Sequence, residues 1–182
     1  MSCFEEGTKV CIVKTDADLK RFVDAVVQRA ISFFEKELQI KVGKANYTIN
    51  EKNFINLKSV TSIIFIEDYL KMTIAFNYDD LLLNEIFKRY TKNIVIEEHE
   101  TQLYIDETAG DLINNIIGNI LSQFGQPNIA FGISTPVIIR GEDYVAKFKV
   151  IKVYTTKIKT EFGKMRIFCI IPGNISLNEF CS

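Results

Sequence analysis

The segment DETAGDLINNIIGNILSQFGQP, residues 106–127, carries the clearest helix signal in the chain. Large apolar side chains recur there every three or four residues, which is the spacing of one face of an α-helix. The apolar stripe consists of Ile113, Ile116, Ile117, Ile120, Leu121 and Phe124. A stripe this broad needs an apolar partner, so we expect it to pack against a sheet.

The opposite side of this helix is small and polar. It consists of Asp111, Asn114, Asn115, Gly118 and Ser122. It has no Lys, Arg or Glu, the residues that favour exposed helix positions. Gly118 costs about 1 kcal/mol relative to alanine inside a helix, and a close approach of another backbone would explain it. Asp111 and Asn114 are three residues apart, so both can act on one target.

A second interpretation of the same residues stays open. Asp111 follows Thr108 by three positions, so the two could form an approximate capping box at the start of a helix. In that position Asp111 would interact favourably with the helix dipole. Asn114 would then be an ordinary solvated residue.

The pattern around this helix predicts an α+β domain. Helical periodicity covers residues 16–38 and 79–90, and a mixture of short strand and loop is predicted for 94–105. Residues rich in β-branched and aromatic side chains predict strands within 41–76, 132–141, 146–159 and 164–171. Tight connections near Glu67 and at 160–163 make adjacent strands antiparallel. We expect an antiparallel sheet packed against long helices, in a domain of residues 16–175 flanked by an extension (1–15) and a tail (176–182).

Composition excludes several classes of function. The chain has 182 residues, 22 basic and 23 acidic, and a net charge of −1, which argues against nucleic-acid binding. The four cysteines form no CxxC motif and there is one histidine, so a Cys/His zinc site is not expected. The acidic N-terminus is unlike a signal peptide, and no apolar run is long enough to cross a membrane. We expect a cytoplasmic protein.

The run GDLINNIIGNILSQFGQPNIAFGISTPVIIRG, residues 110–141, resembles the CheX branch of the CheC/CheX/FliY chemotaxis phosphatase family. That family has a helix reading roughly G-E-x-x-N-x-I-x-G-N, followed by a segment I-S-x-P-x-x-I-x-G. The helix matches at Gly110, Asn114, Ile116, Gly118 and Asn119, and the second segment at Ile133, Ser134, Pro136, Ile139 and Gly141. The chain has a single acid-x-x-Asn pair, which favours CheX over the CheC type with its two sites.

The resemblance implies an enzyme that hydrolyses the phosphoaspartate of a CheY-type response regulator. Carried over by position, Asn114 is the amide that positions water and Asp111 is the acid. Asn115, Gly118 and Ser122 share the polar side of the helix with them and are expected to bind the partner. The family acid is Glu; Asp is one methylene shorter, and Glu107, one turn earlier, is an alternative acid.

The resemblance also implies which components belong to the partner. This chain needs no cofactor, because Mg²⁺ is expected on the response regulator. A homodimer is expected as well. The shorter acid leaves an alternative open, a non-catalytic CheX-like module that binds a response regulator or a flagellar or signalling partner.

Overall fold

The computed structural model describes residues 16–67, 71–124 and 132–172. The extension, the tail and the residues 68–70 that follow Glu67 in the first tight connection lie outside these ranges. The observed order of helices and strands within them matches the α+β class expected from the sequence.

The helices of the described residues are α1 (Asp16–Ser32), α2 (Asp80–Tyr90) and α3 (Thr101–Phe124). A π-helical turn, Phe33–Glu37, continues α1, so the helix predicted at 16–38 is confirmed with a widened last turn. The helix predicted at 79–90 is also confirmed.

The short strand predicted within residues 94–105 is wrong, and the predicted loop is found only at residues 94–97. A 3-10 turn, Glu98–Glu100, leads directly into α3, which begins at Thr101. The β-branched run at 94–96 suggested a strand, but Ile94 and Val95 are 56% and 94% exposed and join none of the strands. β-propensity largely measures packing against a half-buried surface, and no such surface covers these residues.

The capping role considered for Thr108 is wrong as well. Thr108 is buried inside α3, and its hydroxyl donates a hydrogen bond to the Tyr104 carbonyl at 2.7 Å. Such a bond to the preceding turn is usual for threonine within a helix. Asp111 therefore lies in the middle of the helix, where a helix-start explanation does not apply.

The strands are β1 (Asn46–Ile66), β2 (Met72–Tyr78), β3 (Val137–Thr160) and β4 (Gly163–Pro172). All pairs are antiparallel in the order β1-β2-β4-β3, and β1 also pairs with β3, so the sheet closes on itself. The strands predicted within 132–141 and at 146–159 belong to one long strand, which begins at Val137 and leaves residues 132–136 before it. Register shifts between Lys52 and Phe54 and between Leu57 and Ser59 interrupt the β1–β3 ladder, and such bulges bend a strand without ending it.

Both predicted hairpins are confirmed. Ile66 pairs with Met72 across the first, and Thr160 pairs with Gly163 across the second. Gly163 has a φ of +127°, a conformation that side chains rarely adopt. A Cβ on Gly163 would also lie 3.1 Å from the Cβ of Asp79. Both conformation and space therefore require glycine in this turn.

The sheet buries apolar side chains on both faces. Ile74 and Phe76 of β2 belong to the large core shared with the helices, whereas Ala75 between them belongs to a second cluster. This alternation is the two-residue period of a strand. The second cluster contains Ile55, Leu57, Ala75, Val153, Phe168 and Ile170.

The apolar stripe of α3 packs into the large core, as predicted. Five of its six residues are buried, and the sixth, Phe124, packs edge-on against Phe22 of α1 with ring centroids 5.4 Å apart. Burying one Ile or Leu side chain contributes about 1.5–3 kcal/mol, so this stripe decides which side of α3 faces the sheet. Among the described residues, none of the helices has the length and apolar character needed to span a membrane. The homodimer stays a prediction.

Candidate functional site

Asp111 and Asn114 are exposed on α3, outside its buried apolar stripe. They line one open groove of about 410 Å³. The groove is lined by Asp106, Glu107, Gly110, Asp111, Asn114, Pro136 and Ile138. The carboxylate and the amide are thus presented side by side on a helix whose other side is held by the core.

The second sequence motif forms the opposite wall of this groove. Ser134 is held against the end of β1, because its backbone N–H donates to the Phe65 carbonyl at 2.9 Å and its hydroxyl accepts from the Phe65 N–H at 3.0 Å. A Cβ on Gly110 would lie 3.6 Å from the Cβ of Pro136. That distance is an ordinary van der Waals contact, so α3 lies directly beside this segment. The two motifs, separate in sequence, therefore meet in one groove.

The three acidic residues that line the groove, Asp106, Glu107 and Asp111, differ in whether a cationic side chain is paired with them. Asp106 is paired with Arg140 of β3, whose Nε donates to the Asp106 carboxylate at 2.7 Å. In the described part of the chain, neither Glu107 nor Asp111 has a cationic partner, and both are exposed. Asp111 therefore keeps a free negative charge that an incoming cation can meet.

The other predicted site residues lie outside the groove. Asn115 is half-buried, and its side-chain oxygen accepts hydrogen bonds from Arg29 of α1 at 3.3 Å and from Asn119 at 2.9 Å. Ser122 is exposed, and its hydroxyl donates to the Asn119 carbonyl at 2.8 Å. Nothing described lies within 4 Å of a Cβ placed on Gly118, so a close approach within the chain does not explain this glycine.

Tyr90 of α2 lies at the flank of this surface. Its side chain is 38% exposed, and its ring centroid is 6.5 Å from that of Phe33. Partial burial raises the pKa of Tyr90 above 10.0, and the negative charges of Asp111 and Glu37 raise this pKa further. Asp111 is therefore electrostatically coupled to α2 as well as facing the groove.

We expect Asp111→Asn to lower the pKa of Tyr90 towards 10.0 without reaching it, because burial, the largest cause, remains. Because the pKa of Tyr90 is higher in the folded state than in the unfolded state, the folded state loses stability as pH rises from 10.0 through the folded-state pKa. This loss of stability at alkaline pH should be smaller in the variant. A ¹³C NMR titration of the tyrosine ring carbons measures the shift. Asp80→Asn, on α2 itself but not among the causes of the shift, is the control; an unchanged pKa in Asp111→Asn would contradict the coupling.

Sequence reasoning missed the arginines that hold this surface. Arg29 and Arg140 contact α3 from α1 and β3, far away in sequence. Arg140 lies inside the motif segment 133–141, which was the available signal, whereas nothing in the local pattern singles out Arg29. In the ranges described, no group of three or more His, Cys, Asp or Glu residues could hold a metal ion. This site offers hydrogen bonding and two exposed carboxylates, those of Glu107 and Asp111, that have no cationic partner among the described residues.

No family model matches the sequence, and no curated protein does. Solved structures do match the fold. The chemotaxis protein CheX from Desulfovibrio desulfuricans aligns with a TM-score of 0.69 and 13% identity over 83% of this chain and 99% of that chain.

Two further solved structures also align with this chain over nearly all of their own length. A CheC-like superfamily protein from Shewanella sp. gives a TM-score of 0.63 and 18% identity, covering 84% of this chain and 97% of that one. A chain in the CheX-CheY-BeF3-Mg²⁺ complex from Borrelia burgdorferi gives 0.65 and 17%, covering 82% and 96%. With its antiparallel sheet and covering helices, this chain has the fold of the CheX and CheC-like proteins.

Proposed function

We propose that this protein is a CheX-like phosphatase that accelerates hydrolysis of the phosphoaspartate of a CheY-type response regulator. The observation that carries the proposal is the groove on α3, where an exposed carboxylate and an exposed carboxamide lie one turn apart. The fold supports the proposal, because a chain of similar fold occurs in a solved CheX-CheY complex. In this proposal the protein works in the cytoplasm and inserts α3 into the regulator.

Hydrolysis of an acyl phosphate needs little from a partner protein. A water oxygen forms a bond to phosphorus while the bond between phosphorus and the aspartyl oxygen breaks. The products are a carboxylate and inorganic phosphate, and the water's proton passes to phosphate or solvent. Such transfers have loose transition states, so positioning and charge stabilisation supply most of the catalysis. Asn114 suits this role, because its amide oxygen can accept from the attacking water while its N–H group donates to an oxygen of the site.

Asp111 has a different role in this proposal. Its free carboxylate pairs with the active-site lysine of the regulator and fixes the register in which α3 docks. The regulator contributes its own Mg²⁺, which neutralises charge on the phosphoryl group. Asp111 is thus a docking and positioning acid.

Partner contacts extend along the exposed side of α3. Gly118 lies one turn beyond Asn114, and the open space around it leaves room for a partner backbone. Ser122 continues the same side and is exposed. Asn115 is a less direct contact, because Arg29 and Asn119 already occupy its side-chain oxygen.

The deciding experiment measures phosphate release from a phosphorylated CheY-type receiver domain, with and without this protein. We expect release to accelerate with catalytic amounts of the protein and to saturate with receiver concentration. Binding of the same receiver is measured in parallel by calorimetry. Binding without accelerated release would instead support the non-catalytic module, which the short acid at position 111 favours.

A further inference from the structure

The exposed side of α3 is held between two arginines. Arg140 of β3 reaches Asp106 near the start of the helix, and Arg29 of α1 reaches Asn115 further along. Asp106 and Asn115 are nine residues apart, which is about two and a half helical turns, so they lie on opposite sides of α3. Asn114 and Asp111 lie on the side between these two contacts.

Arg29 is itself held firmly. Its Nη1 donates to the Glu37 carboxylate at 2.7 Å, and its guanidinium carbon lies 5.3 Å from the centre of the Phe33 ring. Its side chain is 18% exposed, so these contacts are partly shielded from water. The planar guanidinium can bond Glu37 and Asn115 at the same time, which a lysine cannot do in the same geometry.

A small rotation of α3 has a large effect at the groove. Helical side chains end about 5–6 Å from the helix axis, so a rotation of about 10° moves their ends by about 1 Å. The isoleucine stripe prevents large rotations, but apolar contacts have weak directionality. Hydrogen bonds weaken steeply when distance and angle change, so bonds on opposite sides of the helix resist rotation in both directions.

We infer that Arg29 and Arg140 are positioning residues that fix the rotation of α3 and so aim the Asn114 amide and the Asp111 carboxylate. Arg29 acts through Asn115, and Arg140 acts through Asp106. The catalytic consequence rests on the proposed function, whereas the orientation of α3 does not. Asn115 is then a structural link between α1 and the site.

The orientation is tested without any partner. Residual dipolar couplings of the backbone amides report how α3 is turned relative to the sheet. We expect Arg29→Met and Arg140→Met to change the α3 couplings while the sheet couplings stay as in the wild type. The control is Lys152→Met, which removes an exposed ion pair of 2.8 Å with Asp16 that does not involve α3. Unchanged α3 couplings in both arginine variants would overturn the inference.

The kinetic consequence is tested by a double-mutant cycle in the phosphate-release assay. We expect Arg29→Met to lower kcat about 10-fold, with the folded fraction unchanged by circular dichroism, since misplacement near 1 Å can cost about 100-fold. If Arg29 acts through Asn115, adding Asn115→Ala causes little further loss. Arg140→Lys keeps a cation beside Asp106 and should restore much of the rate lost in Arg140→Met.

Two results would count against this inference. Independent, additive losses in the cycle would show that Arg29 does not act through Asn115. A loss of rate that follows only the unfolded fraction would reduce the arginines to general stabilisers. If the wild type accelerates no release at all, the proposed function fails, and the dipolar couplings still decide whether the arginines orient α3.

Discussion

Asn114→Ala is expected to slow phosphate release from a phosphorylated CheY-type receiver by about 100-fold or more. Removing one well-placed hydrogen-bonding group from a reacting centre costs about 100–1,000-fold in other enzymes. Here the amide is the group proposed to hold the attacking water, and the methyl group of alanine can neither accept nor donate a hydrogen bond. The loss should therefore appear in kcat, with binding of the receiver largely retained.

The substitution should leave the fold intact. Asn114 is exposed on α3, outside the apolar stripe that holds the helix to the sheet. Alanine is the better helix former by a few tenths of a kcal/mol, so thermal stability should stay the same or rise slightly. A lost activity with an unchanged melting curve then reports on chemistry.

Asn84→Ala is the matched control. Asn84 is also an exposed helical asparagine, and its side-chain amide donates to the Asp80 carbonyl of its own helix at 2.9 Å. It does not line the groove. Equal release by the wild type and Asn114→Ala would remove Asn114 from the mechanism, whatever the control does.

Local sequence patterns predicted the parts of this fold that depend on period and turn chemistry. The α3 stripe identified the buried side of the helix because every third or fourth residue is a large apolar one. The TEFG turn identified a hairpin because Gly163 adopts a conformation unfavourable to other residues. The run at 94–96 was misjudged, because β-branched residues form a strand only where another strand is available for pairing.

Only the part of the candidate site that lies on α3 could be predicted from the sequence. Asp111 and Asn114 were found because both lie on α3 and are exposed together. Their surroundings depend on contacts between distant segments, such as Arg29 with Asn115, which no local pattern encodes. Gly118 is not explained by contacts within the described part of the chain, because nothing described lies within 4 Å of a Cβ placed on it.

Asp111→Glu is expected to increase the rate of release by about 10-fold to 100-fold. The added methylene extends the carboxylate by roughly 1.5 Å, and a placement error near 1 Å can cost about 100-fold. The groove is open beside Asp111, so a longer side chain has room to extend towards the partner. If the short acid limits docking, the gain should appear in the affinity for the receiver together with kcat.

Glu107 provides the comparison that gives this result its meaning. It lines the same groove, is exposed, and already has the longer side chain of a glutamate. Glu107→Gln should leave most of the activity if Asp111 is the docking acid, whereas Asp111→Asn should lose most of it. The opposite pair of results, with no gain in Asp111→Glu, would move the acid role one turn earlier on α3. In the proposed complex, the carboxylate that pairs with the regulator's lysine is the one whose charge matters most for the rate.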